Sequence, residues 1–376
     1  MVGTGLEFTS IEICAGAGGQ AIGLHAAGFR HLALVEIDTH AAATLRTNIE
    51  AHPKWEWERD NCDVLCKDVN DFEPDRDLEK GRRHYRKGEV GLLAGGVPCP
   101  PFSHAGKQLG EDDERDLFPR ILTLADRIRP KAVMIENVRG LMDAKFEGYR
   151  ERIKADLEEM EPDSGGLPGY KVVEWKVFEA ANFSVPQLRP RSILVAFRRD
   201  VLQDLKYEAP VAASGRRTVL EALGATMEER FEPFMQGSRA DEARRVLNAW
   251  RNAAAKDVAP TLVGGSKKHG GADLGPSRAK KAWRDLGVSG LGVANDPADC
   301  LVKRTEDRDL FGKDGPMLTV RQAAIIQGFP TYWEFTGGKT ARYRQVGNAF
   351  PPPVAEAVGR SIIEVLHAAR ERDVQG

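Results

Sequence analysis

The chain has 376 residues, of which 41% are hydrophobic and 29% charged, a composition typical of a globular protein large enough for two domains. Its net charge of -2 excludes a chain-wide attraction to nucleic acid, so such a partner would need a local basic surface. Five cysteines argue against a disulfide framework and favour a reducing cytoplasm. We find no apolar run of membrane-spanning length and no secretory pattern in MVGTGLEFTS.

Apolar runs alternate with helical patterns up to about residue 199. Strand patterns occur at residues 10–16, 31–38, 88–96, 130–138, 170–180 and 191–199. Helical patterns follow the first two strands, at residues 18–28 and from Thr39 to about Glu50, whereas residues 60–87 are predicted as a polar loop or exposed helix. Because strands alternating with helices form parallel sheets through right-handed crossovers, we predict an α/β fold with a doubly wound, mostly parallel sheet and helices on both faces.

The alternation is lost from about Asp200 to Gly315, a region rich in Ala, Gly, Arg and Lys. We predict a smaller, irregular module there. Residues 351–371 then form an amphipathic pattern entered through prolines, which suit the first turn of a helix. We expect its apolar stripe to pack on the sheet domain, so the chain returns to the first domain. The stripe comprises Val354, Val358, Ile362 and Leu366. The predicted domains are residues 1–199 with 340–376, and residues 200–339.

The segment CAGAGG (14–19) places glycines between the first predicted strand and helix. Glycines permit a tight turn, and a helix N-terminus can face a nucleotide, but such turns are about as often plain connections. Glu36 ends the next predicted strand about 20 residues on, where a carboxylate can accept hydrogen bonds from ribose hydroxyls. Its alternative is an exposed strand end. The glycine segment and Glu36 together predict a site for an adenosine-containing cofactor. Asp68 is a candidate adenine contact, although by itself it is as well explained by a solvated position.

The segment GGVPCPPFSHAGK (95–107) holds a cysteine between prolines directly after an apolar run. A structural cysteine packs as a small hydrophobe and needs no rigid frame. Here Pro98, Pro100 and Pro101 stiffen the backbone around Cys99, and the preceding glycines allow a close approach. This arrangement is typical of a nucleophile held still beside a ligand.

Glu136 follows the apolar run AVMI, so its carboxyl group is predicted to be buried. Burial would raise its pKa and make it a neutral acid near pH 7, unless it pairs with Asn137 or a nearby arginine. The arginines of QLRPR (187–191) would both point towards one edge of the sheet, or else form a solvated charge pair. Cys62 and Cys66 have the spacing of a metal pair, but no second pair follows, so we interpret them as free thiols.

Taken in order, the motifs resemble those of the DNA cytosine-5 methyltransferase family over nearly the whole chain outside residues 200–315. The matching segments are CAGAGG (14–19), VEID (35–38), GGVPCPPFS (95–103), ENV (136–138), PQLRPR (186–191), LTVRQAAIIQGFP (318–330) and QVGNAFPPPVAEAVG (345–359). Any one segment fits chance, whereas the set in this order and spacing is specific.

The resemblance implies a Rossmann-like catalytic domain (1–199 and 340–376) that binds S-adenosyl-L-methionine (AdoMet) and releases S-adenosyl-L-homocysteine (AdoHcy), beside a target-recognition domain (200–339). Cys99 would be the nucleophile and Glu136 the acid, while Arg189 and Arg191 would hold the target base. The implied cofactor contacts are Cys14, Ala15, Gly16, Ala17, Gly18, Gly19, Glu36, Ile37, Asp68, Val69, Gly96, Pro98, Leu117, Asn348 and Ala349.

Two positions depart from the family pattern. Cys14 stands where the family usually has a phenylalanine that stacks on the adenine, so stacking must be weaker or come from another residue. Pro100 stands where glutamine often follows the nucleophile, a change that stiffens the loop.

The family chemistry explains these residue types. A thiolate that adds to C6 of cytosine makes C5 nucleophilic, and cysteine can both attack and leave. Because the base must leave the duplex to be reached, the enzyme would flip it into its pocket. No metal is needed. Ser103 and His104 are predicted phosphate or gap-filling contacts. A basic stretch in the second module is either a solvated face or a DNA-backbone contact: Lys267, Lys268, His269, Arg278, Lys280, Lys281 and Arg284.

Three other functions compete with this interpretation. A tRNA cytosine-5 methyltransferase would carry a Cys-Phe-Thr signature, which is absent from this sequence. A non-catalytic homologue would lack Cys99 or Glu136, and a small-molecule AdoMet enzyme would not need the basic module. The compact size resembles bacterial restriction–modification enzymes, which predicts a cytoplasmic, nucleoid-associated protein and suggests a partner endonuclease for the same site.

Overall fold

The structure is a computed structural model that describes residues 8–97, 116–264 and 272–375. Within these ranges seven strands form one sheet. They are β1 (Phe8–Ile13), β2 (Phe29–Glu36), β3 (Asp63–Cys66), β4 (Leu92–Gly96), β5 (Ala132–Val138), β6 (Tyr170–Glu179) and β7 (Pro190–Arg198). The spatial order is β3-β2-β1-β4-β5-β7-β6. Strands β1 to β5 pair in parallel and β7 runs antiparallel to β5, which confirms the predicted mostly parallel α/β sheet.

Helices connect the strands and form most of the remaining chain. Those up to β7 are α1 (Gly19–Ala27), α2 (Thr39–Ala51), α3 (Glu56–Asn61), α4 (Pro74–Asp77), α5 (Phe118–Ile128) and α6 (Glu147–Glu158). Those after β7 are α7 (Arg199–Leu202), α8 (Val219–Phe231), α9 (Ala240–Ala254), α10 (Ser277–Asp285), α11 (Pro297–Lys303), α12 (Glu306–Asp309), α13 (Val320–Gln327), α14 (Lys339–Asn348) and α15 (Pro352–Gln375). In the described ranges, none is both long and apolar enough to cross a membrane.

The chain divides into two compact units. The sheet unit comprises Met1–Phe178, Pro190–Val211 and Val354–Gly376. The helical unit comprises Glu179–Arg189 and Ala212–Pro353. Residues 340–353, which the sequence assigns to the first domain, thus fall in the helical unit.

Both faces of the sheet are covered by helices. Alternate residues of a strand point to opposite faces, and Ile11 and Ile13 of β1 join an apolar cluster with residues of α5 and α6. On the other face Ser10 Oγ lies 2.9 Å from His31 Nδ1, and His31 Nε2 lies 3.0 Å from the carbonyl oxygen of Ala21 in α1. Helix α15 packs on α1, and its predicted apolar stripe is at most 1% exposed, which confirms that this helix buries its stripe.

Two regions differ from the sequence-based expectation. Strand β3 lies within the tract predicted as polar loop or exposed helix, because only Val64 and Leu65 among its four residues are large and apolar. The region after Asp200 is more helical than its composition indicates. Helix α8 begins with a capping box between Thr218 and Glu221, a local signal that favours a helix start.

Candidate active site

The glycine turn lies between β1 and α1 at the carboxyl edge of the sheet. Cys14, Gly16 and Gly18 have φ angles of 51°, 55° and 94°, so the turn needs the left-handed region at all three positions. Among the described residues, a Cβ at Gly16 would find no neighbour within 4 Å, so this part of the structure leaves space beside the turn. The backbone N–H of Ala15 donates to the carbonyl oxygen of Val35, which ties the turn to β2. The turn therefore leaves room for a ligand at the start of α1.

Glu36, the last residue of β2, holds this turn in place. Its Oε2 accepts a hydrogen bond of 2.8 Å from the N–H of Gly16, and its Oε1 accepts one of 2.7 Å from the N–H of Asp38. Burial raises the pKa of this carboxyl group, while backbone hydrogen bonds from Asp38, Gly16 and Ile37 oppose the shift. A carboxylate can accept about four hydrogen bonds in all. Glu36 can therefore hold the turn and still accept hydrogen bonds from a diol.

An apolar wall adjoins the turn. Cys14, Val69 and Leu117 belong to or pack against the same hydrophobic cluster. Burial is the main cause that raises the pKa of the Cys14 thiol, and the charges of Glu36 and Asp68 add to it, so both acids lie near this side chain. Asp68 also caps the next turn by accepting a hydrogen bond of 2.9 Å from the N–H of Asn70. The structure thus brings the predicted contacts of β1, of the turn after β3 and of the start of α5 together.

Ile37 directly follows β2 and adds a large apolar side chain near this wall. It is 65% exposed, which is unusual for isoleucine. Its backbone continues from Glu36, so it stands beside the carboxylate that holds the glycine turn. An exposed isoleucine here offers apolar surface that Cys14 cannot supply alone.

Glu136 ends the buried run of β5 beside the end of β4. The register pairs Gly96 with Glu136, and a Cβ at Gly96 would lie 3.1 Å from Glu136 Oε2. A larger residue at position 96 would therefore crowd the carboxyl group, which would have to move by a few tenths of an ångström. Cys99 follows Gly96 by three residues in the sequence.

Arg191 of β7 is the charge partner of Glu136. Its Nε lies 2.8 Å from Glu136 Oε1, and both side chains are largely buried. The alternative that Glu136 pairs with an arginine is therefore what the structure shows. Because the guanidinium compensates the buried charge, the carboxylate form is stabilised in the free protein.

Arg189 has a different setting in the helical unit. Its side chain is 1% exposed. Its Nη1 donates to the carbonyl oxygen of Leu262 at 2.7 Å and its Nη2 to that of Gly347 at 2.9 Å. The role of Arg189 in holding a base stays a prediction, but these bonds are to the protein's own backbone. They fix the segments that precede Asn348.

Asn348 and Ala349 follow directly. The Asn348 side chain is packed against Gly264, where a Cβ would lie 2.1 Å from Oδ1. The Ala349 carbonyl oxygen accepts a hydrogen bond from Gln327 Nε2. Gln187 Nε2 in turn donates to Gln327 Oε1 at 2.5 Å, and both glutamines are fully buried. Sequence reasoning missed this buried pair, although both amides lie inside the quoted motifs.

The predicted basic contacts are only partly described. Lys280 of α10 lies 2.7 Å from Asp273, and Arg284 lies 3.0 Å from Asp314. Arg278 and Lys281 are exposed, and no carboxylate within the described ranges pairs with either. Further predicted contacts lie outside the described residues: Pro98, Cys99, Ser103, His104, Lys267, Lys268 and His269. Over the described part of the chain, no cluster of His, Cys, Asp and Glu is arranged to hold a metal ion.

Comparisons with known proteins identify the family of this chain. A protein-family model described as C-5 cytosine-specific DNA methylase matches residues 8–364. The Type II methyltransferase M.NaeI of Lentzea aerocolonigenes is 46% identical over 96% of this chain and 76% of its own. The Type II methyltransferase M.NgoMIV of Neisseria gonorrhoeae is 44% identical over 96% of this chain and 99% of its own.

Solved structures show the same fold at lower identity. A DNA modification methyltransferase encoded within an E. coli prophage superposes with a TM-score of 0.58 at 20% identity, covering 96% of this chain and 99% of that one. A Spodoptera frugiperda DNMT2 variant gives a TM-score of 0.55 at 14% identity, over 96% and 99% of the two chains.

Proposed function

Because this chain belongs to the C-5 cytosine-specific DNA methylase family, we propose that it methylates C5 of one cytosine within a specific duplex sequence, through a covalent adduct of Cys99 with C6. The observation that carries this proposal is the Glu136–Arg191 pair beside Gly96, at the end of the strand that leads into the Cys99 loop. It supplies one acid and one cation at the end of the strand that Cys99 follows by three residues in the sequence.

The cofactor proposed is AdoMet, and the residues present fit it. The open turn at Gly16 and the start of α1 would take the amino-acid end, and Glu36 would take the ribose hydroxyls. Val69, Leu117 and Ile37 would contact the adenine from apolar side chains, with Asp68 at its edge. Asn348 and Ala349 stay predicted contacts. When bound, AdoMet supplies the methyl group that C5 receives, and AdoHcy leaves as the product.

The chain's own residues would activate the base. The Cys99 thiolate adds to C6. Glu136 takes up a proton from solvent when the base displaces Arg191, and it donates that proton to N3 as charge builds on the ring. A positioned proton transfer of this kind contributes about 10²- to 10⁴-fold. Arg191 would donate to O2, which is adjacent to N3 on the same edge of the base. Loss of the C5 proton to a water molecule expels Cys99, and return of the N3 proton to Glu136 then restores the neutral aromatic ring.

The Glu136–Arg191 pair also suggests how the two side chains are satisfied in the protein without substrate. Without a base, Arg191 and Glu136 satisfy one another. A flipped cytosine offers N3 and O2 as new acceptors, so entry of the base would exchange the ion pair for two contacts to the substrate. The helical unit would recognise the duplex sequence, with Arg278 and Lys281 as candidate phosphate contacts.

The biological setting is a further part of the proposal. The two relatives named above are Type II methyltransferases. We propose by analogy that this enzyme protects chromosomal DNA in the cytoplasm, at the nucleoid, from an endonuclease that cuts the same site.

Methyl transfer from labelled AdoMet into a random-sequence duplex library tests the proposal, with bisulfite sequencing of the product. We expect protected cytosines within one short shared motif, and none with Cys99→Ser. Protection that persists in the Cys99→Ser variant would contradict the covalent mechanism. Absence of protection with the unmodified enzyme, together with methylation of tRNA, would move the substrate class to RNA.

A further inference from the structure

Arg120, on the first turn of α5, joins two walls of the predicted cofactor pocket. Its Nε donates to the carbonyl oxygen of Val69 at 3.0 Å, and its Nη2 donates to the carbonyl oxygen of Phe72. Nη2 also lies 3.2 Å from Glu73 Oε1. All these acceptors belong to the segment that begins with Asp68.

The acceptors lie on a short turn that needs an outside donor. Residues Val69–Asp71 form one 3-10 turn capped by Asp68. The N–H of Phe72 donates to the Val69 carbonyl oxygen at 3.2 Å, and Arg120 adds a second donor to the same oxygen. Carbonyl groups at the end of a short helical turn have no further partners in the turn itself. Arg120 therefore fixes the turn from outside.

Arg120 also lies close in sequence to Leu117, a predicted cofactor contact at the start of α5. Arg120 follows Leu117 by three residues, so the two lie on one face of the helix start. Leu117 packs against the same apolar cluster that contains Val69 and Phe72. The guanidinium thus sets the spacing between Leu117 and the Asp68–Val69 turn. A lysine has one compact donor group and cannot reproduce the two-carbonyl fork.

We propose that Arg120 is a positioning residue that sets the adenine end of the cofactor pocket by clamping the Asp68–Val69 turn to the start of α5. The inference rests on the proposed use of AdoMet. Arg120 acts through Val69 and Leu117 and needs no contact with the cofactor.

Arg127, two turns further along α5, provides a matched control for substitutions of Arg120. It pairs with the same Glu73 and also approaches Asp75 at 3.7 Å. Its side chain is more exposed than that of Arg120, and its described contacts are to carboxylates rather than to the turn's backbone. Removal of Arg127 takes away an arginine at Glu73 without taking the donor from Val69.

Titration calorimetry with AdoHcy and with adenosine tests the inference on the full chain. We expect Arg120→Met to weaken both ligands by about threefold to thirtyfold, because a residue coupled to a site through its neighbours changes affinity on that scale. Arg120→Lys should recover only part of the loss, and Arg127→Met should bind like the unmodified protein. In steady-state assays the KM for AdoMet should rise while kcat stays within about twofold.

The outcomes separate the two proposals. If the unmodified protein binds neither AdoHcy nor adenosine, the proposed cofactor is wrong and the inference falls with it. If the unmodified protein binds and Arg120→Met binds equally well, only the positioning role is overturned. Equal losses in Arg120→Met and Arg127→Met would also overturn it, because they would indicate a general effect on α5. Should Arg120→Met fail to fold, Arg120→Lys decides by the same measurements.

Discussion

The carboxyl edge of the sheet and the helical unit both bury charged groups, but the arginines Arg191 and Arg189 are satisfied differently there. At the carboxyl edge of the sheet, Glu136 is paired with another side chain, that of Arg191. In the helical unit, Arg189 donates to the backbone carbonyl groups of Leu262 and Gly347. A side-chain pair can separate when a substrate offers new partners, whereas backbone carbonyl groups cannot turn away without moving the chain. The first arrangement suits chemistry and the second suits the fixing of a loop.

Arg230 follows the pattern of Arg189. It is buried in α8 and donates to the carbonyl oxygen of Met317 at 2.8 Å and to Gln322 Oε1 at 2.7 Å. Burial lowers the pKa of Arg230 to about 10, which still leaves it charged at neutral pH. The helical unit thus uses buried guanidinium groups to hold segments that have few strands to order them. Its helices are connected by long coil segments. There, guanidinium groups satisfy buried backbone carbonyl groups that a β-sheet would satisfy with hydrogen bonds between strands.

The largest effect expected from this comparison is catalytic. Glu136→Gln keeps the shape of the side chain but removes the proton donor, so kcat should fall about 10²- to 10⁴-fold. AdoHcy affinity should stay within a few fold, since the glycine turn and Glu36 are untouched. Single-turnover methylation and calorimetry measure the two quantities. Glu174→Gln on β6 is the control, and a comparable loss of kcat there would contradict a specific role for Glu136.

The next expected effect is on stability. Arg189→Met should lose more stability than Arg191→Met, whereas Arg191→Met should lose more activity. Arg189→Met leaves two buried carbonyl groups without their donor, so the free energy of unfolding should fall by about 2–4 kcal/mol. Arg191→Met should cost less stability, because Glu136 can take up a proton, yet it should lose more activity. Urea denaturation and methylation assays compare the variants. If Arg191→Met proves the less stable of the two, the distinction between a fixed and an exchangeable arginine is wrong.

Glu12 on β1 extends the comparison to a buried carboxyl group with no cation partner among the described contacts. It is fully buried, and burial raises its pKa well above the ordinary value, while Gln20 opposes the shift. The folded state therefore holds its proton to a higher pH than the unfolded state. The stability contributed by this group is complete below the unfolded pKa and is lost as pH rises through the folded pKa.

Glu12→Gln should consequently become more stable relative to the unmodified protein as pH rises, by at most about 1.4 kcal/mol per pH unit. Denaturation between pH 5 and pH 8 measures the difference. Glu136→Gln serves as the comparison, because its carboxylate already has a cation partner in the fold. A difference for Glu12→Gln that does not change with pH would show that Glu12 is ionised in the folded protein.

How far the sequence predicted these features depends on whether the signal is local. The glycine turn, the strand before Glu136 and helix α15 are written in short patterns of glycine, apolar and proline residues, and each lies where the pattern indicates. Partners across the sheet have no such local pattern. The antiparallel register of β7 with β5 pairs Arg191 with Val138, which puts Arg191 on the same face of the sheet as Glu136, two positions along β5. From the sequence, an arginine could be named only as one possible partner of the Glu136 carboxyl group.

The buried contacts of the helical unit were harder still to predict. Gln187 and Gln327 are 140 residues apart, and nothing in either segment specifies the other. In the sheet unit, Arg120 carries no local signal either, because an arginine on the first turn of a helix usually faces solvent. In each case the tertiary fold supplies the acceptor, so a single sequence could not reveal the contact.

The smallest expected effect concerns two neighbouring lysines of α10. Lys280 is already paired with Asp273, whereas Lys281 is exposed and has no carboxylate partner in the described ranges. If Lys281 contacts a phosphate, Lys281→Gln should lower DNA affinity uniformly across sequences and reduce the slope of log K against log salt by about 1. Lys280→Gln should change the slope less, because Asp273 competes with the phosphate for this ammonium group. Fluorescence anisotropy with a short duplex at several salt concentrations measures both slopes. Equal slopes for the two variants would show that the ion pair opens on DNA, and an unchanged slope for Lys281→Gln would remove this face of α10 from the DNA interface.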